Sequence, residues 1–109
     1  MVTARKKLSV SVNIYTTLSC IGSNVEFIKR CNVRQIQREV PDLEETIAMK
    51  RSLDNIIRYV KLIKLAEQNG ASIYSCYRNP YYNFYKESID DFITYFTDVI
   101  ERDMQYAAQ

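Results

Sequence analysis

The uninterrupted stretch from Pro41 to Asn69 limits what this chain can fold into. Pro41 followed by Asp42, Glu44 and Glu45 is a helix-start pattern, a ring with preset φ ahead of carboxylates in the positively polarised first turn. Asn69-Gly70 is the matching stop. Between them Met49, Leu53, Ile56, Val60 and Ile63 recur at spacings of four and three, one stripe that must be buried. Leu43, Ile47 and Leu65 lie off that stripe and Leu62 lies further round, so the helix is expected to have several neighbours. A break near Ser52–Asn55, whose side chains can cap a second helix, is the competing reading.

Upstream, Leu8, Val10, Val12 and Ile14 alternate with Ser9, Ser11, Asn13 and Tyr15, the period of a half-buried strand. Thr16 to Gly22 fits either a turn or a short helical piece. Ser23 with Glu26 three residues on is a capping-box pattern, which predicts a helix from Asn24 to about Glu39. Val25, Ile28 and Ile36 form its inner side, and Pro41 ends it at Val40 or before.

Downstream, Ser72 to Tyr77 is short, β-branched and aromatic, a second strand candidate. Arg78-Asn79-Pro80 reads as a turn. Ile89, Phe92, Ile93, Phe96, Val99 and Ile100 then repeat with helical period, behind Ser88 as a cap and Asp90 and Asp91 in the first turn. The order strand, helix, long helix, strand, helix predicts a helix-dominated α+β fold, with an all-α fold as the alternative. At 109 residues, one domain spanning 1–109 can bury a core without disulfides or a metal.

Composition removes several classes of function. The chain has no histidine, which excludes imidazole bases, catalytic triads and the usual zinc sites. Cys20, Cys31 and Cys76 are odd in number and form no Cys-x-x-Cys pair, which favours a reducing, cytoplasmic setting. They are expected to be small core residues. Ser9, Ser11, Asn13, Thr16 and Thr17 interrupt the run after Arg5-Lys6-Lys7, so a signal peptide is not expected, and no stretch has the length of a membrane span. Asp91 and Asp98 stand two turns apart on an outer face with no activated nucleophile near, and Asp90, Glu101 and Asp103 add no catalytic spacing. Neither an enzyme nor a cofactor or metal requirement is expected.

Two constellations remain as candidate sites. Tyr74, Tyr77, Arg78, Tyr81, Tyr82 and Tyr85 concentrate five of the nine tyrosines beside one guanidinium. Tyrosine and arginine supply the anchors of protein interfaces, so this loop is the expected protein-binding surface. Arg30, Arg34 and Arg38 repeat every fourth residue, about 6 Å per step, and could follow a phosphate backbone. Residues 1–64 carry twelve Lys/Arg against six Asp/Glu, and residues 65–109 three against seven. A chain so divided can also pair with itself as a homodimer.

The segment from Leu18 to Asn32 resembles the Gly-Asn-Asn-apolar-Asn-Gln-Ile-Ala-Arg segment of MobC-type plasmid mobilisation proteins, which act on DNA with a relaxase. Gly22, Asn24, Val25, Ile28, Arg30 and Asn32 fit; Ser23, Glu26 and Phe27 depart from it. The resemblance implies a ribbon-helix-helix upstream, for which the chain has too few residues, and it is not adopted. The expected function is a non-catalytic protein-binding regulator or inhibitor, of the kind phages or mobile elements carry, acting through the Tyr-rich loop and an exposed helix face. A nucleic-acid-binding accessory protein using the arginine stripe is the alternative.

Overall fold

The computed structural model of the chain describes residues 14–107. Among the described residues four α-helices follow one another: α1 (Ile14–Ile36), α2 (Leu43–Gln68), α3 (Tyr82–Glu87) and α4 (Ile89–Ala107), with a 3-10 turn at Ile73–Cys76 between α2 and α3. No strand occurs among the described residues, so the α+β expectation is overturned in favour of the all-α alternative. Leu8, Val10 and Val12 of the expected first strand lie outside the described residues, while Ile14 and Tyr15 belong to α1. The second expected strand, Ser72 to Tyr77, is instead the 3-10 turn. Its two inward residues, Ile73 and Cys76, are three apart, which is the 3-10 period rather than the period of two that a strand needs. No neighbouring strand is present among the described residues to take up its backbone hydrogen bonds.

The long helix forms as its termini predict. Asp42 caps α2 by accepting from Glu44 N–H at 3.1 Å, with Glu44 and Glu45 in the first turn. At the other end Ala71 N–H donates to Ala66 O and Gly70 N–H to Glu67 O. This Schellman arrangement needs the left-handed φ of 92° that Gly70 adopts. The helix is unbroken at Ser52–Asn55, and Met49, Leu53, Ile56, Val60 and Ile63 are all buried. Each such aliphatic side chain contributes about 1.5–3 kcal/mol on full burial.

The first helix is longer than expected. Ser23 does not start it but sits in its interior, where its hydroxyl donates to Ser19 O at 3.2 Å. Ser19 donates likewise to Tyr15 O, and Asn24 to Cys20 O. Turning back onto carbonyls four residues earlier satisfies these side chains without ending the helix. The buried stripe is Ile14, Leu18, Ile21, Val25, Ile28, Cys31 and Gln35. Ile36, expected inside, is 72% exposed; Gln35 takes the inward place in the last turn.

Gln35 beside Thr46 and Asn24 beside Asn55, about three turns further on, fix an antiparallel register for α1 and α2. α4 also returns along α2. Glu67 and Asp90 both act on Tyr85 at one end, and Thr97, Ile100 and Glu101 share a shallow groove of about 140 Å³ with Lys50, Leu53, Asp54 and Ile57 nearer the other. Phe92, Ile93, Phe96, Val99 and Ile100 supply the α4 face of the core. Asp103 is buried, with Arg102 Nε 3.7 Å from its carboxylate.

Candidate functional site

The segment from Gly70 to Ser88 is fastened to α1 by Asn79, which is 3% exposed. Its Nδ2 donates to Tyr15 O and to Ser19 Oγ, both at 3.0 Å, and its Oδ1 accepts from Tyr81 N–H at 2.9 Å. Its own N–H donates to Cys76 O, and its carbonyl accepts from Tyr82 N–H. One side chain thus closes the turn before α3 and anchors it to the first turns of α1. The sequence marked Asn79 only as a turn residue; the Asn-Pro dipeptide was the available signal.

The tyrosines divide according to this anchoring. The Tyr81 ring lies over Gly22, so closely that a Cβ built there would sit 2.1 Å from the ring. Its hydroxyl reaches Glu26 at 3.5 Å. Burial, with Glu26 adding, pushes the Tyr81 phenol up from its ordinary pKa. Tyr85 is buried in the core, its pKa pushed up to about 12 chiefly by burial, then by Glu67 and Asp90. Tyr82 is half-buried, its ring 6.5 Å from that of Tyr74. These three rings hold the segment in place.

Tyr74 and Tyr77 face solvent at 66% and 61% exposure, and Arg78 is exposed beside them. Each outward ring carries a cation. The Arg78 guanidinium is 5.6 Å from the Tyr77 ring centre, with Nε donating to the Tyr77 hydroxyl at 3.2 Å. Lys86 Nζ is 4.5 Å from the Tyr74 ring centre and 3.4 Å from its hydroxyl, a bond that raises the lysine's pKa. Lys86 had no part in the sequence-level site, because its four-residue step along α3 from Tyr82 toward Tyr74 depends on a helix that the sequence did not announce. Such stacking holds two long cationic side chains against exposed rings.

The arginine stripe is differently placed. Arg34 Nε pairs with Glu45 Oε2 at 3.0 Å, and Arg38 Nη1 with Asp42 Oδ2 at 3.6 Å. Arg30 has no ion-pair partner among the described residues. The partners come from the start of α2 rather than from the acidic C-terminal helix. The Arg34 guanidinium also donates to Cys31 Sγ at 3.4 Å, yet burial and Glu45 keep that thiol's pKa raised. Cys31 and Cys76 are buried and Cys20 half-buried.

Among the described residues no group of three metal-ligating side chains converges. No helix among them is long and apolar enough to cross a membrane. The chain matches no protein-family model, no curated protein and no solved structure.

Proposed function

We propose that this is a non-catalytic, cytoplasmic binding protein, a small regulator or inhibitor, that engages a protein partner through Tyr74, Tyr77 and Arg78, with Lys86 on the adjoining face of α3 and Tyr82 at the rim. The observation that carries the reading is the pair of outward tyrosines, each stacked with a cation, on a segment fixed by Asn79 and Tyr81. Aromatic rings already stacked with a cation, on a segment fixed to α1, lose little conformational entropy when a partner covers them, which is the property of interface anchors. The two cations fit a partner surface that presents carboxylates beside an apolar area. Tyr81 and Tyr85 serve the site from inside, as supports.

The test is quantitative capture from lysate of the source cell with the wild-type chain and with a Tyr74→Ala/Tyr77→Ala/Arg78→Ala variant. A Tyr95→Ala/Tyr106→Ala variant, altering two comparably exposed tyrosines on α4, is the control. A partner lost with the first variant and kept with the second supports the reading; equal capture by all three refutes it.

A further inference from the structure

Four aliphatic side chains stand in solvent where α1 turns into α2: Val33 at 53%, Ile36 at 72%, Val40 at 55% and Leu43 at 46% exposure. Single exposed aliphatics are common, but a group of this kind rimmed by polar residues is a mark of an interface. The charges around it sort into two kinds. Arg34 and Arg38 are already neutralised by Glu45 and Asp42. The exposed charges with no ion-pair partner among the described residues are Arg30, one turn before Val33, and Glu39 and Glu44, which lie beyond Ile36.

An apolar centre with a cation on one side and carboxylates on the other is complementary to itself after a two-fold rotation. A uniformly acidic or basic partner would match one side and repel the other. We propose that this turn is the surface on which the chain docks a second copy of itself, α1 against α1 in antiparallel register. Val33 of each copy then meets Ile36 of the other, and Arg30 approaches Glu39 of the other. Four aliphatic side chains with these three charges are far fewer than the roughly 20–30 residues a side of a standard interface, so the dimer is weak and depends on concentration. It lies at the far end of α1 from Tyr15 and Ser19, where Asn79 fastens the tyrosine segment. Dimerisation therefore leaves Tyr74 and Tyr77 open and presents two copies of that surface.

Sedimentation equilibrium of the full chain over a range of concentrations tests this. The expected result is a monomer–dimer equilibrium that Ile36→Asp weakens at least about tenfold, with the unfolding midpoint unchanged because Ile36 is outside the core. Arg30→Glu and Glu39→Arg each weaken it about threefold or more. Mixing those two variants restores association, because every facing pair is again of opposite sign, and the double variant Arg30→Glu/Glu39→Arg dimerises as the wild type does. A chain that stays monomeric throughout, a dimer indifferent to Ile36→Asp, or charge variants that do not rescue one another would each overturn the proposal.

Discussion

Gln35 Nε2 lies 2.7 Å from Thr46 Oγ1, and both side chains are withdrawn from solvent. Around this bond, Gln35 Oε1 accepts from Asp42 N–H at 2.9 Å and the Thr46 hydroxyl donates to Asp42 O at 2.8 Å. Every polar atom of the pair is thereby satisfied at the point where α1 gives way to α2. Thr46→Val removes the near acceptor of the Gln35 amide and should cost about 1–3 kcal/mol in urea unfolding. Gln35→Leu/Thr46→Val should cost less than the two single changes together, since neither variant partner is then left unpaired. Additive costs would show that the bond contributes nothing of its own.

Gly22→Ala offers a sharper test of packing. In an open helix the change is worth up to about 1 kcal/mol of stabilisation, because alanine is the better helix former. Here the new methyl meets the Tyr81 ring, so a loss of about 1–3 kcal/mol is expected instead. Adding Tyr81→Ala should restore the ordinary sign of the substitution. A stabilising Gly22→Ala in the wild-type background would contradict the seating of Tyr81 on α1.

Asn79→Ala removes two bonds to α1 and one within its own turn. The expected cost is about 1–3 kcal/mol. Amide exchange should accelerate first in residues 71–88, ahead of the α2 interior, because the segment has lost its anchor. Uniform acceleration across α2 and α4 would mean that Asn79 supports the whole core.

Tyr85 gives the chain an alkaline limit. Its folded pKa, pushed up to about 12 by burial and then by Glu67 and Asp90, exceeds the ordinary value of 10.0. The folded state therefore holds a proton that the unfolded state releases first. Stability from this group is complete below about pH 10 and is lost as pH rises toward 12, by about 1–3 kcal/mol in all. Urea midpoints measured across that range should fall, and Tyr85→Phe should flatten the fall.

Much of this fold was legible where one periodicity ran unopposed. The α2 stripe from Met49 to Ile63 and the α4 stripe from Ile89 to Ile100 were read correctly, because the spacing and the carboxylates of the first turn agreed. The α1 stripe was present too, from Ile14 through Leu18, Ile21 and Val25, but Ser23 and Glu26 imitate a helix start and Gly22 imitates a break. Only tertiary structure reveals that Gly22 makes room for Tyr81 and that the serines bond backwards along their own helix. For the same reason the sequence brought the tyrosines together without saying which face outward. Tyr74 and Tyr77 differ from Tyr81 and Tyr85 in what lies beneath them, and composition does not carry that.

The binding reading stands or falls on one comparison: the amount of specific partner captured by the wild-type chain against Tyr74→Ala/Tyr77→Ala/Arg78→Ala, with melting temperatures measured in parallel. The account predicts loss of the partner by tenfold or more, as expected when anchors worth about 1.4 kcal/mol or more are removed. It also predicts a nearly unchanged melting temperature, because Tyr74, Tyr77 and Arg78 all lie outside the core. Undiminished capture by a variant that folds normally would contradict it.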